Sequence, residues 1–183
     1  MSKKATILWL DMEMTGLDPA RDLALEVAVV ATDWDFTEIA SLESGIGYPV
    51  EQVQALLDAN DFYRKYPANK KALLELTATS PAPAVVERQL LAFIAEHCDS
   101  SQPVLLAGNS IHQDRRFIRA AMPLLDQKLH YRMLDVSAWK LVFEAKFGRK
   151  YQKQESHRAL DDVRESIAEL QFYLLDIMVR DEQ

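Results

Sequence analysis

Residues Ile7 to Gly16 read ILWLDMEMTG, a stretch that opens as a buried strand and then sets two carboxylates into the same run. Asp is depleted in strands, and an ionised carboxylate does not enter a core without a partner. Side chains two apart in a strand project from one face, so Asp11 and Glu13 sit side by side. Like charges that close resist joint ionisation, and a hard divalent cation such as Mg²⁺ resolves the conflict by taking carboxylate oxygens. A strand end reaching solvent, where Asp-x-Glu is harmless, is the other reading of the same residues.

Outward from this stretch the first half of the chain reads as strands. Leu25 to Thr32 (LEVAVVAT) is a second, and after the turn signal Asp33-Trp34-Asp35 a third spans Phe36 to Tyr48. Connections this short predict an antiparallel meander. Residues 51–79 are polar and helix-leaning, with aromatics at Phe62, Tyr63 and Tyr66. Beyond Pro81 and Pro83, helical spacing links Val86, Leu90, Phe93, Ile94 and His97. A strand (Val104 to Ala107), a helix (Gln113 to Met122), a strand (Met133 to Val136) and a helix from Ser137 follow. In the C-terminal helix Leu160, Val163, Ile167, Leu170, Leu174 and Ile177 form one apolar stripe. A meander followed by strand–helix alternation is the pattern of an α/β domain with a mixed sheet, here one domain over residues 1–183.

The 183 residues, 49% hydrophobic and 27% charged, suffice for a full core without metal or disulfide staples. One cysteine, Cys98, excludes an internal disulfide framework and suits a cytoplasmic location; it reads as a small buried residue on a helix. The N-terminal apolar run is cut short by Asp11, so no signal peptide is expected. No segment approaches the roughly 20 apolar residues of a membrane span. Net charge is −7. A protein gripping long nucleic acid by its phosphates carries a basic face. Any nucleic acid bound here should therefore be short, with cations supplying the attraction.

Two further stretches carry carboxylates. VLLAGNSIHQDRRF (residues 104–117) is a strand, a Gly-Asn-Ser loop and a helix that places Asp114 at a strand's carboxyl end, where α/β sheets collect ligands. An acidic residue stabilised by the helix dipole is its plain alternative. In SHRALDDVRES (residues 156–166), helix geometry separates two aspartates. The apolar stripe centres about 110° from Asp162 and about 150° from Asp161, so Asp162 borders the buried face and Asp161 points to water. His157 falls about 140° around the helix from Asp162, so both serve one site only if His157 precedes the helix or lies in a frayed first turn. Otherwise His157 is a surface or capping residue. Asp11, Glu13, Asp114 and Asp162 together suit two divalent ions, and His157 suits a general base.

In this order, WLDMEMTGLDP, GNSIHQDRRF, HYRMLDVS and SHRALDDVRES resemble the DEDD exonuclease superfamily, histidine subtype, and within it the oligoribonucleases. The resemblance runs from Ile7 to Tyr173 and is weakest across residues 51–79, where the family carries a substrate-contacting tryptophan and histidine; Phe62, Tyr63 or Tyr66 would stand in for them. It implies a ribonuclease-H-like fold, two Mg²⁺ or Mn²⁺ ions per site, and 3′-to-5′ cleavage of dinucleotides and other very short RNA to 5′-mononucleotides. Asp11, Glu13, Asp114 and Asp162 would be metal ligands and His157 the general base. Leu17 would wedge against bases, and Ser110, Arg132 and Ser137 would hold a 5′ phosphate. Tyr131 would reach the partner's site in a homodimer.

The residues alone leave plainer roles open: Leu17 as core, Ser137 as a helix N-cap, Arg132 as a solvated charge, Tyr131 as a core or surface residue. The basic run GRKYQK (148–153) reads either as a phosphate-contacting loop or as a plain solvated one. Competing functions are a proofreading or DNA exonuclease of the same superfamily, a catalytically silent adaptor, and a structural calcium site. All four carboxylates and His157 are present, which an adaptor would not need.

Overall fold

The computed structural model describes residues 4–152 and 158–181. Strands β1 (Ile7–Met14), β2 (Ala24–Thr32) and β3 (Glu38–Gly45) form the expected antiparallel meander. Helices α1 (Val50–Ala59), α2 (Asp61–Lys65) and α3 (Pro67–Thr79) follow, then α4 (Pro83–His97), β4 (Val104–Gly108), α5 (His112–Ala121) and the short α6 (Pro123–Asp126). The described chain ends with β5 (Leu129–Asp135), α7 (Val136–Phe147) and α8 (Ala159–Asp181). The strands make one mixed sheet in the order β3-β2-β1-β4-β5, with β4 and β5 parallel to β1. This is the ribonuclease-H-like arrangement, a mixed sheet flanked by helices. No described helix is long and apolar enough to cross a membrane.

Two apolar cores cover the two faces of the sheet, and the period of two along β1 divides its residues between them. Leu8, Leu10 and Met12 pack with Val86, Leu90, Phe117 and Ile118 of α4 and α5. Ile7 and Trp9 pack with Ala159, Val163, Ile167 and Tyr173 of α8 and Phe143 of α7. Asp11 and Glu13 continue the second series, so they emerge on the α8 side of the sheet. β2 is buried along its whole length. That is why its sequence runs apolar without the alternation of a half-exposed strand.

Three local expectations are corrected. Phe36 and Tyr48 lie outside the third strand. The N-cap of α7 is Asp135, whose carboxylate accepts Ser137 N–H, so Ser137 does not cap that helix. Cys98 is buried, but it follows the last residue of α4 and bridges to Ala5.

Candidate active site

Asp11, Glu13 and Asp162 each bring a carboxylate oxygen to a common point, with these atoms within 4.8 Å of one another. Three half-buried carboxylates so close are a hard-oxygen donor set, which fits a divalent cation such as Mg²⁺ or Mn²⁺. β1 supplies the first two from one face, and α8, packed on that face, supplies the third. The buried face of α8 comprises Ala159, Val163, Ser166, Ile167, Glu169, Leu170 and Tyr173, while Ile177 of the expected stripe is exposed. This face is turned about 50° from the apolar stripe, which leaves Asp162 about 60° from its centre and Asp161 about 160° away. Asp162 is half-buried and Asp161 exposed, as expected.

Asp114 stands apart from that trio. It is buried in the first turn of α5, which packs on the opposite face of the sheet, and its Oδ1 accepts Met12 N–H at 3.0 Å. β1 and β4 pair only as far as Trp9 and Ala107. Beyond that point β4 turns towards α5, and Asp114 satisfies a backbone donor that the sheet leaves over. The close approach there requires glycine, since a Cβ on Gly108 would lie 2.6 Å from Leu10 O.

Burial pushes the Asp114 carboxyl from its ordinary 3.8 up to about 7, against its backbone hydrogen bonds and with help from the charges of Asp135 and Glu13. A raised folded-state value means the folded chain holds a proton that the unfolded chain has released. The stability this contributes is full below about pH 4 and is lost as pH rises through about 7. Asp114→Asn should therefore melt above the wild type at pH 8 in EDTA, because the amide oxygen can still accept Met12 N–H without burying a charge. The gap should close towards pH 5. A wild type that stays the more stable at pH 8 would show that burial is not the dominant cost.

Arg158 ties the start of α8 to the sheet. Its Nη2 lies 3.0 Å from Glu26 Oε1 and 3.0 Å from Glu43 Oε1, and its carbonyl accepts Asp162 N–H. Glu26 is the cross-strand neighbour of Glu13. Burial and the hydrogen bond to Glu43 push Glu26 up to about 7. The same hydrogen bond holds Glu43 below its usual range. The general base expected at His157 lies outside the described residues.

Leu17 is 71% exposed and Tyr131 72% exposed, so neither is core. The Leu17 carbonyl accepts from Gln113 Nε2 and Arg116 Nη1, which fixes the loop after β1. A cleft of about 330 Å³ runs beside Glu13, lined by Met14, Leu17, Asn60, Phe62 and Tyr63. Of the three candidate aromatics, Tyr63 is buried with its hydroxyl on Met14 O, and Tyr66 stacks behind Phe62. Phe62 remains as the exposed ring facing the cleft. Ser110 and Ser137 meet, Oγ to Oγ, at 3.1 Å. Arg132 lies over the Tyr131 ring, with Cζ 5.3 Å from its centroid. In the basic run, Arg149 and Lys150 are exposed, while Tyr151 packs against Phe172.

The RNase_T family, described as Exonuclease, matches residues 8–170. Oligoribonuclease from Bordetella pertussis is 43% identical over 171 residues, 91% of this chain and 92% of that protein. Oligoribonuclease from Corynebacterium diphtheriae is 41% identical over 176 residues, 93% and 82% of the two. Among solved structures, E. coli exonuclease I in complex with an oligonucleotide superposes with a TM-score of 0.59 at 15% identity. That match covers 90% of this chain but only 39% of the other. Exonuclease I from Methylocaldum szegediense gives 0.58 at 17%, over 88% and 38%. These distant likenesses establish the fold, which the larger exonucleases carry as one part of a longer chain. By the profile and by identity over most of its length, the chain belongs to the RNase_T exonuclease family and, within it, to the oligoribonucleases, so that it is an exoribonuclease that hydrolyses phosphodiester bonds.

Proposed function

We propose that the substrates are dinucleotides and other very short RNA, cleaved from the 3′ end to 5′-mononucleotides. The convergence of Asp11, Glu13 and Asp162 beside a small cleft carries this reading. A chain of net charge −7 repels a long polyanion, and a short substrate held at a cation site avoids that cost.

Two divalent ions, Mg²⁺ or Mn²⁺, would be held by Asp11, Glu13 and Asp162, with the buried Asp114 serving the second; bound there they supply Lewis acidity at the scissile phosphate. His157 takes the proton of the attacking water as general base. Leu17 and Phe62 grip the bases from the two sides of the cleft. Ser110, Arg132 and Ser137 hold the 5′ phosphate, so that length is measured from the end opposite the chemistry. The test is hydrolysis of a 5′-phosphorylated RNA dinucleotide, a longer RNA and a DNA 3′ end, each with and without EDTA. The dinucleotide should turn over fastest and EDTA should stop it. Faster cleavage of the DNA end would favour the proofreading alternative.

The active unit is a homodimer of a cytoplasmic protein, with Tyr131 reaching the partner's site. Supporting this, Tyr131, Arg132 and Met133 stand exposed on β5, one of the two edge strands of the sheet, and uncovered edges invite a partner. Asp162→Asn and Tyr131→Ala chains should each be weak alone. Refolded together, they should regain cleavage in mixed dimers, where one site receives intact carboxylates and an intact tyrosine. Verified mixed dimers that recover nothing would confine Tyr131 to its own chain.

A further inference from the structure

The regular pairing of the sheet breaks at β5. Val104 faces Leu129 and Leu106 faces Met133, so a single β4 residue, Leu105, stands opposite His130, Tyr131 and Arg132. A bulge of this kind leaves backbone groups without ladder partners, and bulges beside active sites re-aim side chains. Here Tyr131 and Arg132 are both turned out to solvent. Their carbonyl and amide groups must be satisfied from outside the ladder.

Arg115 of α5 does this from beneath. It is only 4% exposed. Its Nη1 donates to His130 O at 2.5 Å and reaches Tyr131 O at 3.4 Å. Its Nε donates to Asp126 Oδ1 at 3.0 Å, which fixes the plane of the guanidinium. Asp126 is held in turn by Arg119, 3.5 Å from its other oxygen. Within the bulge, His130 Nδ1 accepts Arg132 N–H, and the His130 ring lies 4.5 Å from that of Tyr131. The backbone on both sides of Tyr131 is thus pinned while its side chain stands in solvent.

A buried ion pair is a poor way to gain stability, and apolar residues of similar volume often serve as well. Apolar residues would leave the carbonyls of the bulge unpaired, and the planar fork of a guanidinium reaches a carboxylate and two carbonyls at once. We infer that Arg115 is a positioning residue that acts through Tyr131, holding the β5 bulge in the shape that presents the tyrosine to the partner's active site. This rests on the shared-site reading above, and it makes Arg115 of one chain serve the site of the other.

Arg115 follows Asp114, so a loss of activity alone would not separate its effect from damage to its own site. Mixed dimers separate them. The substrate is a 5′-hydroxyl RNA dinucleotide, which gives Arg132 on the same bulge no 5′ phosphate to hold. Arg115→Lys, which keeps the charge but not the fork, and Arg115→Met should each lower kcat/KM roughly 10-fold or more, since small misplacements are costly. Added to Tyr131→Ala, either should cost less than about 2-fold further, because both lesions act through one side chain. Refolded with Asp162→Asn, either should recover in verified mixed dimers to about half the wild-type rate. There one site combines the carboxylates of the Arg115 variant with a tyrosine that the other chain's intact Arg115 presents.

A lesion of folding, or of the variant's own site, would not be rescued in this way. If Arg115 dimers recover nothing while the Tyr131→Ala and Asp162→Asn pair does recover, the assignment is overturned. Full additivity with Tyr131→Ala, or a wild-type rate in Arg115→Lys, overturns it too. If neither pair recovers, the shared-site reading fails and this assignment with it. Arg115→Lys decides alone should Arg115→Met not fold.

Discussion

Asp162→Asn should lose more than about 10³-fold in rate with either Mg²⁺ or Mn²⁺, while Asp161→Asn should stay within about 3-fold of the wild type. Removal of a single preorganised group at a reacting oxyanion already costs about 10²–10³-fold, and a lost ligand disables the cation site outright. The two aspartates are sequence neighbours of identical chemistry, so the contrast isolates geometry. Asp162 borders the buried face of α8 and meets Asp11 and Glu13 within 4.8 Å, whereas Asp161 points to solvent. The loss should not come through unfolding. An amide at 162 relieves repulsion among three like charges, so the metal-free melting temperature should hold or rise. Steady-state rates and melting curves of the two variants check this. An active Asp162→Asn beside an inactive Asp161→Asn would overturn the assignment of the helix face.

His157→Ala should lower kcat by about 10²–10⁴-fold, the usual contribution of a positioned general base. Divalent-ion affinity, read by titration of the metal-free protein, should change little, because the cation site consists of carboxylates. The wild-type rate should fall on acidification as the imidazole takes up its proton. That acidic limb should disappear from the residual activity of His157→Ala. Arg158, the next residue, is anchored to Glu26 and Glu43, so the substitution falls beside a braced point of the chain. A limb that persists unchanged in His157→Ala would assign the titration to another group, and Asp114, raised to about 7, would be the first to test.

Much of this was readable along the chain. Alternation by two places Asp11 and Glu13 on one face of β1, and the helical period separates Asp162 from Asp161, because both periods are set within a few residues. The meander and the later strand–helix alternation follow from turn residues and run lengths in the same way. The true buried face of α8 was not readable. The apolar stripe alone sets Asp162 about 110° from the core, while the real buried face admits Ser166, Glu169 and Tyr173. Those polar groups are buried because Asn109 and one another satisfy them, and Asn109 lies some sixty positions away.

The sequence by itself determined the fold class and the separation of Asp162, near the buried face, from the exposed Asp161, since each follows from local periodicity. Only the tertiary structure decided which carboxylates meet. Asp162 joins Asp11 and Glu13 because α8 packs on their face of the sheet. Asp114 arrives from the other face, where it satisfies Met12 N–H at the point β4 leaves β1. Only the structure also decided that residues 51–79 fold as three helices that bury Tyr63 and turn Phe62 towards Leu17. In that polar segment few positions carry an apolar period, so its shape is imposed by what it packs against, through contacts between residues far apart in the chain.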